Sequence, residues 1–246
     1  MSTSIIAVSY LNTKPFIHGI NSRLGLKDYK ISLAHPADCA AALINEEADI
    51  GLVPVAVIPD LPNYQIVSDF CIGCDGQVET VCLYSEVTIE EIDAIYLDYQ
   101  SRTSVNLIKI LARELWGIQP VWKNATEDFI DKIEGTTAGL VIGDRAFDLN
   151  DRYQHSYDLG SAWKKLTGLP FVFACWVGKK NISRQVLESF NEALLFGVQA
   201  KKEVVESQET MDSVDLKKYL EERIVFEMTE DMKQGLNSFF KYLSTL

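Results

Sequence analysis

The chain has 246 residues and is 47% hydrophobic, enough for one large domain or two smaller lobes with real cores, which excludes a disordered polymer. Asp and Glu number 35 against 23 Lys and Arg, and the net charge of −12 repels a phosphate backbone at long range, so a nucleic-acid partner is not expected. An anionic ligand must then be held by local donors working against the global field.

The first residues, Met1 to Val8, carry no basic stretch, and their apolar run is too short for a signal peptide or a membrane span. The chain is therefore expected to stay in the cytoplasm, without a membrane partner. Ile5 to Ser9 reads as a short buried strand, and Thr13 to Ile20 as a turn running into a helix with Pro15 in its first turn. Ile31 to Ala34 is a second strand, Pro36 to Ala48 a helix, and Asp49 to Val53 a third strand closed by Pro54. Ile66 to Cys71 and Val78 to Ser85 complete a first α/β lobe with a largely parallel sheet.

A second unit begins near Thr88. Ala94 to Leu97 is a strand, and Ser101 opens a helix with an apolar stripe of Ile108, Leu111, Ala112 and Leu115 that Gly117 ends. Pro120 to Trp122 reads as a strand, Glu127 to Ile133 as a helix, Ala138 to Ile142 as a strand, and Gly143 to Ala146 as the turn after it. The apolar run Leu169 to Val177 carries the chain back to the first lobe. Helices follow from Ser183 to about Ala200, from Val214 to Arg223 and from Thr229 to Leu243. The last shows Met232, Leu236, Phe239, Phe240 and Leu243 on one face, a core-packing stripe. The resulting division is residues 1–86 with 177–246 as one lobe and residues 87–176 as the other. Two crossings between them suggest a hinge and a ligand cleft.

Four polar segments each follow a strand or open a helix, where ligands of α/β sheets gather: Ser9 to Lys14, Gln77 to Thr80, Ser101 to Ser104, and Gly143 to Arg145. Ser101, Thr103 and Ser104 put three hydroxyls at a helix N-terminus that attracts anions; equally, Ser101 or Thr103 caps its own helix. Asn12 offers a donor and an acceptor, either to a ligand or to an Asx-turn before Pro15. Asp144 reads as a general base or as a cap. His18, His35 and His155 have no metal-ligand spacing, and no nucleotide-binding glycine motif or nucleophile elbow is present. The five cysteines, Cys39, Cys71, Cys74, Cys82 and Cys175, form no even disulfide framework. The single C-x-x-C of Cys71 and Cys74 reads as small buried side chains rather than a metal or redox site.

The string Val8-Ser9-Tyr10-Leu11-Asn12-Thr13-Lys14-Pro15-Phe16 resembles the N-terminal signature of the chorismate dehydratases of the futalosine route to menaquinone. Further matches follow in order: Asp49 to Pro54, Ser101 to Val105, Gly143 to Ala146, and Asp158 to Gly160 continuing through Trp163 to Ala174. The resemblance implies a two-lobed type II periplasmic-binding-protein-like fold with a ligand cleft between the lobes. It implies a hydro-lyase that dehydrates chorismate to 3-[(1-carboxyvinyl)oxy]benzoate, with no cofactor and no metal. Family members often carry Ser at the position of Thr80, and the hydroxyl is kept. On this reading Asn12 and Asp144 are the catalytic candidates, and Ser9, Thr80, Ser101, Arg102, Thr103 and Ser104 face the small-molecule substrate. Two rivals share the fold: the 1,4-dihydroxy-6-naphthoate synthase of the same pathway and a non-catalytic small-anion binding protein.

Overall fold

A computed structural model describes residues 2–25, 28–149, 152–207 and 215–246. In chain order the strands and helices begin with β1 (Thr3–Val8), α1 (Lys14–Arg23), β2 (Tyr29–Ala34), α2 (Pro36–Ile44), β3 (Ile50–Pro54) and β4 (Tyr64–Cys74). There follow β5 (Val81–Ser85), β6 (Ala94–Leu97), α3 (Arg102–Leu111), β7 (Val121–Asn124), β8 (Thr137–Ile142), β9 (His155–Asp158) and α4 (Leu159–Thr167). The chain ends with β10 (Phe171–Lys179), α5 (Arg184–Gln199), α6 (Lys201–Glu206), α7 (Leu216–Lys218), β11 (Val225–Glu227) and α8 (Glu230–Leu243). No helix among the described residues is long and apolar enough to cross a membrane.

The chain forms two compact units. One comprises Met1–Gly73 with Val172–Glu230, the other Cys74–Phe171 with Asp231–Leu246. These divisions differ from those drawn on sequence at 86/87 and 176/177, and there are three rather than two. The reasons are local. β5 pairs with β8 and β9 of the second unit, and Phe239 of α8 packs against Trp163 and Phe171 there, with ring centroids 6.4 and 5.2 Å away.

The first unit carries a six-stranded sheet in the order β11-β4-β10-β3-β1-β2. β1 runs parallel to β2 and β3, but β10 is antiparallel to β3 and β11 antiparallel to β4. The sheet is thus mixed rather than largely parallel, because β10 and β11 enter from the later part of the chain in the opposite direction. Its core centres on Phe16, whose ring meets those of Trp176, Phe226 and Phe70 edge to face at 5.7, 5.3 and 6.2 Å. Helix α1 approaches α5 closely because glycines face each other. A Cβ on Gly19 would collide with the Ala193 carbonyl, and one on Gly197 with the Pro15 carbonyl.

The second unit carries a five-stranded sheet in the order β7-β6-β8-β5-β9. β6 is parallel to β7 and β8, and β5 is antiparallel to β8 and β9. Cys82, Tyr84, Phe129, Val141 and Ala146 pack together in its core.

Several predicted boundaries shift for visible reasons. The helix expected through Ala48 stops at Ile44, where Asn45 caps it and Glu46 turns left-handed (φ 59°). The helix expected over residues 127–133 is a single 3-10 turn, Phe129–Lys132. The strand expected from Val78 begins only at Val81, since the N–H groups of Val78 and Glu79 donate to Asp158 and Glu79 has φ 67°. Helix α3 loosens into a π-turn over Ala112–Trp116 before Gly117 ends it at φ 67°. Val214, the expected start of the penultimate helix, lies outside the described residues; Leu216–Lys218 passes there into a π-turn, Tyr219–Arg223. All five cysteines are buried and unpaired, with burial pushing each thiol well above its ordinary value, to about 12 at Cys39 and Cys175. Such thiols are poor nucleophiles, consistent with packing roles.

Candidate functional site

In the first unit the candidate residues leave the carboxyl end of β1. Ser9 is exposed, and its N–H donates to the Ala34 carbonyl at 3.2 Å, extending the β1/β2 pairing by one bond. The chain then winds into a 3-10 turn over Leu11–Thr13, which leads directly into α1. Pro15 fits there because the first turn of a helix has no use for its missing N–H.

Asn12 is 9% exposed and does not cap α1. Its Nδ2 donates to the Tyr219 hydroxyl at 3.0 Å, and its Oδ1 accepts from Thr13 Oγ1 at 3.4 Å. The carboxamide is therefore held at both ends, and the Asx-turn reading gives way to a tertiary contact. Tyr219, itself fully buried, was not singled out from sequence. Nothing local marks it, since it lies 207 residues away in an amphipathic helical stretch.

In the second unit three of the four polar segments meet. The carboxyl ends of the parallel strands β6 and β8 lie beside the start of β5, because Val81 pairs with Ile142 in antiparallel register. Gly143, at φ 73°, reverses the chain and donates its N–H to the Thr80 carbonyl at 2.9 Å. Thr80 and the turn carrying Asp144 are thus direct neighbours. Thr80 is 2% exposed and Asp144 half-buried.

At the head of α3, Ser101 Oγ accepts from the Ser104 N–H at 3.0 Å, an ordinary N-cap. Thr103 and Ser104 are buried and Arg102 is exposed. The cap engages one N–H of the first turn, and the positive end of the helix dipole stays at this corner of the sheet.

The residue that ties the corner together is Asp98, which sequence reasoning passed over. It is 1% exposed. Oδ1 accepts from the Gln100 N–H at 3.0 Å, while Oδ2 accepts from the Ile142 N–H at 3.0 Å and from Arg145 Nη2 at 2.6 Å. One carboxylate thereby joins the end of β6, the end of β8 and the Asp144-Arg145 turn. Burial raises its pKa above the ordinary carboxylate value, with Arg145 and the two N–H groups pulling the other way. The available signal was position: an acid at the last turn of a buried apolar strand needs partners.

A second carboxylate supports the Thr80 loop. Asp158 Oδ2 accepts from the Val78 and Glu79 N–H groups at 3.0 and 2.8 Å, and Oδ1 caps α4 through the Ser161 N–H at 2.9 Å. Burial raises this pKa too, against those three bonds. Asp158 opens the last of the motifs that resemble the dehydratases, and its work is to shape the turn that carries Thr80.

Comparison with known proteins follows the same lines. A chorismate dehydratase of Thermus thermophilus is 25% identical over 219 residues, 81% of this chain and 79% of that protein. A chorismate dehydratase of Campylobacter jejuni is 29% identical over 126 residues, 50% of this chain and 56% of that protein. Among solved structures, a protein of Archaeoglobus fulgidus superposes with a TM-score of 0.77 at 14% identity, covering 99% of this chain and 97% of the other. A Candida albicans protein described as having the generic periplasmic binding protein fold superposes with a TM-score of 0.66 at 11% identity, covering 100% and 91%. The α/β fold is therefore of the periplasmic-binding-protein kind. A family model described as menaquinone biosynthesis matches residues 3–245, and the chain belongs to that family.

Proposed function

We propose that the protein is a hydro-lyase that dehydrates chorismate to 3-[(1-carboxyvinyl)oxy]benzoate. The observation that carries this reading is the Asn12 carboxamide, held between Tyr219 and Thr13 in the segment that resembles the N-terminal signature of the dehydratases. The chemistry needs little from the protein. A proton leaves the ring carbon bearing the enolpyruvyl ether, hydroxide leaves the neighbouring carbon, and the electrons of the broken C–H bond complete an aromatic ring. Aromatisation drives the step, so binding and orientation dominate.

Asn12 is too weak a base to take the proton. Its role is to orient the substrate so that the enolpyruvyl carboxylate removes the proton of the ether-bearing carbon, with Ser9 on the same segment as a further contact. Thr80, Ser101, Arg102, Thr103 and Ser104 bind the substrate from the corner described above, where the α3 dipole favours an anion. Asp144 is the protein-base alternative to the substrate carboxylate. The five reduced, buried thiols support a cytoplasmic home for the enzyme.

Turnover of Asn12→Ala and Asp144→Asn under saturating chorismate tests these roles. Loss of a contact made in the transition state lowers kcat by about ten- to a thousandfold. The expected outcome is such a loss for Asn12→Ala and a smaller one for Asp144→Asn. A near-normal Asn12→Ala enzyme removes the assignment, and a larger loss in Asp144→Asn transfers the base role to that residue.

A further inference from the structure

We infer that Arg145 is the cationic anchor for the ring carboxylate of the substrate, and that Asp98 is the positioning residue that aims it; this rests on the dehydratase reading above. The two side chains are unequally buried. The Asp98 side chain is fully buried, whereas that of Arg145 is 31% exposed. Asp98 already receives backbone N–H groups on both oxygens, from Gln100 and Ile142. Each oxygen thus has a backbone donor, and the bond from Arg145 Nη2 adds the counter-charge. The same bond fixes a guanidinium by one of its five donors, and among the described residues no other hydrogen bond or ion pair engages it.

A buried ion pair gives little net stability, because desolvation offsets the Coulombic gain. An arginine held on one side and open on the other suits planar, two-point capture of a second carboxylate. The ring of Tyr99, 5.6 Å from the guanidinium carbon, further restricts where that edge can turn. The place is right as well. Arg145 lies in the turn beside Thr80, and the Ser101 N–H donates to the Asp98 carbonyl at 3.3 Å, so anchor, positioning acid and helix head share one corner. In a chain of net charge −12, a dianionic substrate requires such a local cation.

The chemistry selects which carboxylate. If the enolpyruvyl carboxylate takes the proton, pairing it with a guanidinium would lower its basicity and slow the step. The ring carboxylate keeps its charge from substrate to product, so a fixed cation there binds without opposing the reaction.

The test uses the full chain and three variants: Arg145→Gln, Arg145→Lys and the pair Asp98→Asn/Arg145→Gln, which leaves no stray buried charge. Thermal melts accompany steady-state kinetics with chorismate and inhibition by two analogues. One, 3-methoxybenzoate, carries only the ring carboxylate; the other, 2-phenoxyacrylate, carries only the enolpyruvyl one. The inference predicts that the double variant folds but melts below wild type, since an amide at position 98 must turn its own donor toward one of the two backbone N–H groups, that its KM for chorismate rises about ten- to a hundredfold, and that inhibition by 3-methoxybenzoate weakens while that by 2-phenoxyacrylate does not. Arg145→Lys, which keeps the charge and the ion pair but not the second donor edge, falls between, and carries the same test if the double variant does not fold. An unchanged KM in a folded variant that still turns over, or equal weakening of both inhibitors, overturns the inference and leaves the dehydratase reading standing. Wild-type protein that neither binds nor converts chorismate overturns both.

Discussion

Three carboxylates, each with a different environment, organise the polar structure of this protein at the scale of single residues. Asp98 and Asp158 are buried enough that desolvation raises their pKa values, and both spend their oxygens on backbone N–H groups at loop corners. Asp49 differs. Burial pushes its carboxyl up, but bonds from Ser4 and from Lys179 outweigh this and leave it below the ordinary 3.8. Those bonds are the Ser4 N–H at 2.9 Å, the Ser4 hydroxyl at 2.8 Å and Lys179 Nζ at 2.9 Å. A carboxyl whose folded pKa is depressed contributes stability that is present above its unfolded pKa and lost as pH falls through the folded one. Asp49→Ala is accordingly expected to cost about 1–3 kcal/mol at neutral pH. Urea unfolding should show that cost shrinking as the pH falls below 3.8, the ordinary carboxyl value. A penalty that does not depend on pH would mean that packing, not charge, holds this corner.

Sequence made the Ser9 to Lys14 segment legible as a polar strand-to-helix turn, and Ser101 as a helix cap. It did not reveal what Asn12 touches, because a hydrogen bond across 207 residues leaves no local pattern. Asp98 and Tyr219 were missed for the same reason: one looked like a strand end, the other like one more aromatic in an amphipathic stretch.

At the scale of elements, strands with apolar faces were the most legible. Ala94–Leu97 matched its expected span, and β1, β3 and β8 fell within a residue or two at each end. β9 and β11 were not foreseen. His155–Asp158 is an edge strand of partly exposed polar residues with no apolar alternation, and Val225–Glu227 is only three residues long. The parallel character of the first sheet was over-read because the direction of a late strand depends on where the chain re-enters, which periodicity does not encode.

The approach of α1 to α5 gives an element-scale prediction. Gly19→Ala would place a methyl against the Ala193 carbonyl in the backbone of α5, a contact that no flexible side chain can relieve. The helices must separate, at a cost of about 1–3 kcal/mol in urea unfolding. The 3-10 turn carrying Asn12 runs straight into α1, so kcat should fall as well. A Gly19→Ala protein of wild-type stability would show that the helices have room that the structure denies them.

At the scale of the whole molecule, the chain reads as a periplasmic-binding-protein fold whose two α/β units carry different candidate residues. The first presents the Asn12 carboxamide at the end of β1. The second gathers Thr80, the head of α3 and the Asp98-Arg145 pair at the ends of β5, β6 and β8. Fold class and family were legible because five short motifs recur in one order along the chain. The division into units was less so, because it turns on where Tyr84 of β5 and Phe239 of α8 pack, which periodicity along the chain does not encode.

A chorismate dehydratase must remove water from chorismate catalytically. The most direct measurement is to incubate the purified full chain with chorismate and follow the mixture by mass spectrometry and ultraviolet absorbance. The expected result is many turnovers per protein, with chorismate replaced by an aromatic dicarboxylate lighter by one water and identical to 3-[(1-carboxyvinyl)oxy]benzoate. Chorismate that is bound but recovered unchanged would contradict it.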